Sequence, residues 1–292
     1  MNSELRASYR RCKKLNSQHG KTYYLATLFL PRAKRKYVHA LYGFARYADE
    51  IVDDLSSTLT IEEKTEALTR WSDGVLSDLR KGSSSDAIGM ALVDTVRKFN
   101  IPIAYFSDFI DSMKMDLRVT SYPNFEALSR YVHGSADVIG LQMAPILGYS
   151  DERALIAAQK LGSAFQLANF IRDVGEDLDR GRIYIPLDEL AQFGVTPEML
   201  YERVLTPEIV EVLKYQIARV RQLQREAEPG IELLDATSRP CIKAASELYC
   251  GIVDEVEAID FDIFNERAKT STARRLKVAL RAYPAAVIAR IR

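Results

Sequence analysis

Two short acidic segments of the sequence hold the residues best suited to chemistry. The first segment, 46–54, reads Arg-Tyr-Ala-Asp-Glu-Ile-Val-Asp-Asp, and the second, 169–179, reads Asn-Phe-Ile-Arg-Asp-Val-Gly-Glu-Asp-Leu-Asp. Each contains the pattern Asp-x-x-x-Asp, formed by Asp49 and Asp53 in the first and by Asp173 and Asp177 in the second. Side chains four residues apart lie on the same face of a helix, so the carboxylates of each pair point the same way.

This spacing predicts a site for a hard divalent cation. Like charges four residues apart destabilise an exposed helix by about 0.2–0.5 kcal/mol, and burying an unpaired ion costs several kcal/mol. Mg²⁺ removes that cost, because it binds one or two carboxylates together with water or phosphate oxygens. Mn²⁺ prefers the same oxygen ligands. A solvated acidic helix face is the alternative interpretation of either segment alone.

Both polar faces extend toward the N-terminus in the same helical register. They comprise Tyr42, Arg46, Asp49 and Asp53 on the first helix, and Gln166, Asn169, Asp173 and Asp177 on the second. Each also has an arginine nearby, Arg46 or Arg172. A metal ion with a neighbouring arginine is suited to holding a diphosphate and stabilising its charge as it leaves.

The elements that position these faces are predicted to be helices. Glycine (14 residues) and proline (10 residues) are scarce, which favours long helices over many turn-linked strands. Thr60, Thr196 and Thr206 each stand at a predicted helix start, the first in a capping box and the others before proline. One long helix is expected from about Ser150 to Arg180, a loop over 81–89, and a strand-like piece only over 182–186.

Composition excludes several other classes of protein. The 40 basic and 40 acidic residues give no net charge, which argues against a nucleic-acid-binding protein. Three cysteines without metal-site spacing indicate a reducing compartment. No secretory signal or membrane-spanning run is visible, so we expect a cytoplasmic protein. The sequence does not define an oligomeric state.

Over nearly its whole length the sequence resembles the squalene/phytoene synthase family. Segments 40–53 and 167–177, the latter followed by Gly-Arg-Ile-Tyr-Ile-Pro at 181–186, resemble its two acidic signatures. Segments 19–23, 111–116, 131–140 and 248–267 resemble its other motifs. The resemblance implies an all-α, single-domain isoprenoid-synthase fold over residues 1–292, with a central cavity between two acidic helices.

The resemblance also implies head-to-head condensation of two prenyl diphosphates through a cyclopropylcarbinyl diphosphate. Carried over by position, the implied metal ligands are Asp49, Asp53, Asn169, Asp173 and Asp177. The implied substrate contacts are His19, Lys21, Thr22, Tyr42, Arg46, Gln166, Asn169, Arg172, Arg182 and Tyr249. Tyr131 is expected near the reacting carbons, where a ring face stabilises a carbocation.

Two positions depart from the family pattern. Gly20 stands where the family often has serine, so one hydroxyl group for phosphate binding is missing. Asp137 stands in the tyrosine helix where glycine is more usual, and its orientation is left open. The small residues Gly134, Ala136 and Gly140 in the same stretch suit either close helix packing or room for a prenyl chain.

Resemblance favours phytoene, made from two geranylgeranyl diphosphates in carotenoid biosynthesis without NADPH, as the product. Squalene or dehydrosqualene synthesis from farnesyl diphosphate is the alternative enzyme reading, and a non-catalytic binding module is the alternative from another class. Prenyl chain length, the final step and the terminal base stay open.

The C-terminal stretch carries basic residues and no acid. They are Arg267, Lys269, Arg274, Arg275, Lys277, Arg281, Arg290 and Arg292. A solvated face is one interpretation, and peripheral attraction to an anionic inner membrane surface is the other.

Overall fold

The computed structural model describes residues 2–53 and 58–291, without the side chain of Asp53. Within these ranges the chain forms sixteen α-helices and one π-helical turn, His133–Asp137, and no named strand. The all-α prediction is therefore confirmed. The helices are α1 Ser3–His19, α2 Lys21–Thr27, α3 Arg32–Asp53, α4 Ile61–Lys81, α5 Gly89–Phe99, α6 Ala104–Asp116, α7 Phe125–Val132, α8 Val138–Leu147, α9 Arg153–Arg172, α10 Val174–Asp179, α11 Leu187–Gln192, α12 Pro197–Tyr201, α13 Pro207–Ile231, α14 Arg239–Cys250, α15 Ile252–Ala258 and α16 Thr272–Ile291.

The predicted helix starts are confirmed by their caps. Thr60 and Glu63 form a reciprocal capping box at the start of α4. Thr196 and Thr206 each accept a hydrogen bond from a backbone N–H of the first turn that follows. The predicted loop over 81–89 also lies where α4 ends and α5 begins.

Two predictions of local structure were wrong. The long helix expected from Ser150 to Arg180 is divided at Asp173, which has φ −99° and ψ 10°. The break lets α10 approach the C-terminal segment, because a Cβ on Gly175 would lie only 2.8 Å from the carbonyl oxygen of Ile263. The strand-like piece 182–186 makes only an isolated bridge between Ile183 and Ser121, since it has no neighbouring strand in the described chain to extend a ladder.

Helix α9 is the central element. It packs against α8, α13, α14, α15 and the π-helical turn. Helix α3, which carries the first acidic segment, packs against α1, α4, α5, α6 and α8. Two buried apolar clusters flank these helices, and the side chains of Phe165, Ile242 and Tyr249 pack against both clusters.

The π-helical turn is held close to α6 by glycine. A Cβ on Gly134 would lie 2.4 Å from the carbonyl oxygen of Asp108, so no larger residue fits without a backbone shift. The Ser112 hydroxyl of α6 donates a hydrogen bond to the carbonyl oxygen of Tyr131, immediately before the turn. This contact fixes the tyrosine's helix against α6.

Candidate active site

The two acidic segments meet at one polar cavity of about 350 Å³. Its walls come from α3, α6, α7, α9, α10 and the segment after α10. The predicted site residues that line it are Tyr42, Arg46, Asp49, Tyr131, Gln166, Asn169, Arg172, Asp173, Asp177 and Arg182. Residues more than 100 positions apart in sequence are thus brought together as the resemblance implied.

On the first wall, Arg46 holds the acidic side chains of α3. Its Nη1 lies 2.6 Å from Oδ2 of Asp49, and its Nε lies 3.1 Å from Oε1 of Glu50. The Asp49 side chain is about half exposed to the cavity, at 44%. Asp53 ends α3 one turn later, but its side chain lies outside the described residues.

On the opposite wall, Asp173 is enclosed by two arginines. Arg172 Nε donates to Oδ1 of Asp173 at 2.7 Å, and Arg267 Nε reaches the same oxygen at 2.9 Å. Burial by itself raises the pKa of Asp173, but the hydrogen bonds and charges of Arg172 and Arg267 outweigh burial and lower it. Asp173 is therefore held as a carboxylate, with cations on both sides.

Asn169 and Asp177 belong to the same polar face as Asp173. The Oδ1 atom of Asn169 is buried and accepts no hydrogen bond in the described structure. Asp177 is buried, and Oδ1 of its carboxylate lies 3.8 Å from Nη1 of Arg180. An unsatisfied buried amide oxygen beside carboxylates is a donor set that suits a hard cation.

The described residues do not by themselves complete a metal site. Among them, with the Asp53 side chain excluded, no three acidic, histidine or cysteine side chains converge closely enough to hold an ion. The oxygen ligands instead lie on opposite walls of the cavity. The donor types fit Mg²⁺ if phosphate oxygens supply the remaining ligands.

Aromatic rings close the third side of the cavity. Tyr131 donates a 2.8 Å hydrogen bond to Oδ2 of Asp116, and Tyr184 donates a 3.0 Å bond to Oδ1. The Tyr184 ring stacks on Phe170 at 4.1 Å between centroids. Burial, followed by the charge of Asp116, raises the pKa of Tyr131 well above its usual value, so the phenol stays neutral.

A second, apolar cavity of about 240 Å³ adjoins the polar one. Ser135 and Gln166 line both cavities, and Tyr249 lines the apolar one. Burial raises the pKa of Tyr249 to about 12, which keeps it neutral. The apolar cavity follows α9 from Gln166 back to Ala154, which is ~18 Å at the α-helical rise.

The small residues of segment 134–140 both permit close helix packing and leave room in the apolar cavity. Ala136 and Gly140 line the apolar cavity. A Cβ on Gly140 would also lie 2.4 Å from the carbonyl oxygen of Ala158, so this residue permits close packing of α8 on α9.

Of the N-terminal segment 19–23, only Tyr23 lines a cavity, the apolar one, and residues 19–22 line neither. His19 and Lys21 are exposed, and Thr22 is partly buried. A Cβ on Gly20 would lie 2.6 Å from the Tyr42 ring, so a serine there would require Tyr42 to move. This contact gives a physical reason for the departure at Gly20.

Asp137 lies away from both cavities. Its carboxylate accepts a 2.6 Å hydrogen bond from the Ser163 hydroxyl and lies 3.6 Å from Nδ1 of His133. Neither cavity includes Asp137 in its lining.

Sequence reasoning missed several residues that meet the site. Asp116, Ser135, Arg180 and Tyr184 line the polar cavity, and Arg267 reaches Asp173 from the C-terminal segment. Asp116 and Arg267 lie in segments that resemble family motifs, but their spacing alone indicates no partner. Tyr184 lies in the piece interpreted as a strand.

Comparison with known proteins places the chain in a class of synthases. The squalene/phytoene synthase family matches residues 16–274. The chain therefore belongs to the squalene/phytoene synthase family, and the resemblance noted from its sequence is confirmed.

Individual relatives agree with this placement. The chloroplastic phytoene synthase 2 of Oryza sativa subsp. japonica is 39% identical over 288 residues, covering 97% of this chain and 71% of the relative. The chloroplastic phytoene synthase 1 of Arabidopsis thaliana is 37% identical, covering 98% of this chain and 68% of the relative.

Two solved structures share the fold. A dehydrosqualene synthase in complex with a ligand superposes with a TM-score of 0.88 at 26% identity, over 96% of this chain and 97% of that one. The squalene synthase HpnC from Alicyclobacillus acidocaldarius gives 0.81 at 25% identity, over 89% and 97%.

Proposed function

We propose that this prenyltransferase condenses two geranylgeranyl diphosphates head to head into phytoene, in carotenoid biosynthesis. The observation that carries the proposal is the cavity in which Asp49, Asn169, Asp173 and Asp177 face one another beside an apolar cavity. The relatives described above are phytoene synthases at 37–39% identity.

The polar cavity is the proposed diphosphate site. Asp49, Asp53, Asn169, Asp173 and Asp177 would hold Mg²⁺, which supplies Lewis-acid stabilisation of the diphosphate charge when bound. Arg46, Arg172 and Arg182 would contact phosphate oxygens. Arg46 and Arg172 are held beside the cavity by the carboxylates of Asp49 and Asp173, and Arg182 donates to the carbonyl oxygen of Asp116.

The N-terminal segment is the proposed mobile partner of the diphosphates. His19, Lys21 and Thr22 flank Gly20, which touches the Tyr42 ring at the edge of the polar cavity. A side-chain reorientation would bring Lys21 to a phosphate oxygen, where its ammonium group acts as a point charge.

The aromatic wall is the proposed site of carbocation stabilisation. After the first diphosphate departs, the double bond of the second substrate attacks the allylic cation, and a proton is lost to give a cyclopropylcarbinyl diphosphate. A second ionisation, rearrangement and loss of another proton give the linear product. The Tyr131 and Tyr184 rings line the polar cavity, where they would stabilise positive charge, and burial keeps the Tyr131 phenol from becoming a nucleophilic phenolate.

The apolar cavity is the proposed prenyl-chain site. Its small side chains along α9 leave a passage that ends near Ala154 and Leu234. Its length favours a long allylic chain over a short one, and Gln166 and Tyr249 mark the end nearest the reacting carbons.

Squalene or dehydrosqualene formation from farnesyl diphosphate is the second candidate, because the two solved structures described above are those of a dehydrosqualene synthase and a squalene synthase. We propose proton loss without NADPH as the final step, with released diphosphate as a candidate base.

A non-catalytic binding role would predict loss of the acidic residues, and these residues are present.

We also propose that residues 1–292 act as one domain, since three aromatic or aliphatic side chains pack against both apolar clusters. The proposed location is cytoplasmic and peripheral at the inner membrane face, because the product is a hydrocarbon. No helix among the described residues has the length and apolar character needed to cross a membrane.

The test is incubation of purified protein with geranylgeranyl diphosphate and Mg²⁺, followed by mass analysis of hydrocarbons and measurement of released diphosphate. The proposal expects phytoene and diphosphate in a ratio of one to two. Substrate binding without diphosphate release would instead support the binding-module alternative.

A further inference from the structure

Helix α16 carries its larger apolar side chains on the outside. Its buried residues are Val278, Ala282 and Ala286. Its exposed apolar residues, with their exposed fractions, are Leu276 (59%), Leu280 (66%), Tyr283 (65%), Ile288 (53%) and Ile291 (80%). A helix that packs on a globular core normally buries its larger apolar residues, so α16 has the reverse arrangement.

The exposed residues form one continuous stripe. At 3.6 residues per turn, they fall within roughly 140° of the helix circumference. We call this set Leu276, Leu280, Tyr283, Ile288 and Ile291 the α16 stripe. A contiguous exposed apolar patch of this kind marks an interaction surface.

The charges of α16 indicate which kind of partner the stripe binds. The helix contains five basic residues and no acidic residue. Lys277 lies within the arc that the stripe covers, one residue after Leu276, and forms no ion pair with the described residues. Arg281, at the edge of the stripe, lies 3.3 Å from Glu247 of α14. An apolar stripe with neighbouring cations suits the boundary between acyl chains and anionic headgroups.

A second copy of this chain fits the stripe less well. A two-fold symmetric contact would place the same surface of both copies together. The Lys277 side chains of the two copies would then face like charges, and α16 has no acidic residue to pair with them.

Three other basic residues of the C-terminal stretch are already engaged within the protein. Arg267 contacts Asp173, and Arg274 contacts Asp254 and Glu255. Arg290 donates to the carbonyl oxygens of Phe29 and Leu30. Charge alone is therefore a weaker source of surface binding than the sequence suggested.

We propose that α16 lies in the plane of a lipid bilayer and inserts the α16 stripe into it. The apolar stripe supplies most of the binding, and its neighbouring cations add an electrostatic part. The functional reason for membrane binding rests on the proposed function, since a hydrocarbon product needs a lipid phase. The binding surface itself rests only on α16.

Helix α16 also connects the membrane to the prenyl site. It packs against α14, which supplies Cys241, Ile242, Ala245 and Tyr249 to the apolar cavity. Docking of α16 would therefore hold the cavity wall one helix away from the lipid surface.

The experiment is vesicle co-sedimentation without substrate, so its outcome is independent of the proposed reaction. The vesicles are phosphatidylcholine alone and an equal mixture with phosphatidylglycerol. The double variant Leu276→Ser/Leu280→Ser should lower partitioning by at least about tenfold. Ile156→Ser, which removes a 57% exposed apolar residue from α9, is the matched control and should bind as the wild type does.

Salt separates the apolar part from the electrostatic part. The Debye length falls from ~10 Å at 0.1 M to ~3 Å at 1 M salt. Wild-type binding should persist at the higher salt, and Lys277→Gln should weaken binding only to the anionic vesicles. Circular dichroism of each variant checks that the fold is retained.

Three results would overturn the proposal. The first is wild-type protein that stays in the supernatant with both vesicles. The second is vesicle binding that does not depend on the stripe as proposed, either because the double variant retains it or because high salt abolishes it in the wild type. The third is a dimer in sedimentation velocity that the double variant dissociates, which would assign the stripe to a second copy.

Discussion

The phenol of Tyr131 on α7 donates a 2.8 Å hydrogen bond to the carboxylate of Asp116 at the end of α6. The same carboxylate accepts a bond from Tyr184, so one acidic residue orients two rings that line the polar cavity. This relationship makes Asp116 a positioning residue for the aromatic wall.

Replacement of Asp116 should therefore impair turnover more than folding. Asp116→Asn keeps the size of the side chain but removes the charge that holds both phenols, and we expect kcat to fall by up to about 100-fold. Steady-state kinetics and thermal unfolding measure the two effects. Asp111→Asn, on the same helix and largely exposed, is the control and should retain activity. Equal loss in both variants would contradict the positioning role.

The acidic residues of the two walls should differ in their effect on stability. Asp49→Asn and Asp173→Asn should each remove nearly all activity, because each takes away a charge needed for Mg²⁺. The sequence spacing alone indicates that each substitution relieves repulsion between two carboxylates four residues apart. On that basis neither variant would lose stability. The two arginines around Asp173 change that expectation.

For Asp173→Asn we expect a loss of about 1–3 kcal/mol in the free energy of unfolding, because the partly buried Arg172 and the exposed Arg267 both lose a charged acceptor. Asp49→Asn should stay near the wild-type value, since its side chain is half exposed. Denaturant unfolding measures both. Near wild-type turnover in either variant would refute the metal-ligand assignment.

Removal of divalent cations should abolish activity reversibly. Chelation with EDTA would remove the ion proposed to neutralise the diphosphates, and Mg²⁺ or Mn²⁺ should restore turnover because both prefer oxygen ligands. Turnover before and after dialysis against each ion is the measurement. Undiminished turnover in excess chelator would be incompatible with a metal-assisted ionisation.

The far end of the apolar cavity should control prenyl-chain length. Ala154→Leu narrows the cavity at the end distant from the diphosphates, so kcat/KM for geranylgeranyl diphosphate should fall by about tenfold relative to farnesyl diphosphate. Competition between the two substrates gives this ratio directly. Ile156→Leu alters an exposed position on the same helix and should leave the ratio unchanged. An unchanged ratio in Ala154→Leu would place the chain elsewhere.

Acid should destabilise the protein through His39. Burial, with smaller contributions from Lys13 and Arg35, lowers the pKa of His39 to about 4 from its ordinary 6.5. Between these values the unfolded chain binds a proton that the folded protein does not. Stability is therefore fully present above pH 6.5 and falls as the pH drops toward 4, by about 3 kcal/mol in total.

The measurement is the free energy of unfolding of the wild type and of His39→Gln across this pH range. The variant lacks the ionisable ring, so the difference between the two curves isolates this residue from titrating carboxylates. Parallel curves would show that His39 takes up its proton equally in both states.

The sequence predicts the walls of the site better than its internal contacts. Spacing places Asp49, Asn169, Asp173 and Asp177 on helical faces, because helical periodicity is local. The pairing of Asp116 with Tyr131 joins α6 to α7, and that of Asp173 with Arg267 joins residues 94 positions apart. Such contacts depend on tertiary packing, which one sequence does not reveal.

Local breaks in regular structure were also hidden. The helical pattern continues through Asp173, and only the close approach of Gly175 to Ile263 explains why the helix is divided there. Segment 182–186 has the composition of a strand but lacks a partner strand in the described chain. In both cases the deciding contact is distant in sequence.

Product identity tests the central claim most directly. Purified protein is incubated with Mg²⁺ and either geranylgeranyl or farnesyl diphosphate, each with and without NADPH, and the hydrocarbons are identified by mass. The account predicts phytoene from geranylgeranyl diphosphate in an amount that NADPH does not change. A hydrocarbon formed only from farnesyl diphosphate, and reduced only when NADPH is present, would contradict it and assign the protein to the squalene-forming branch.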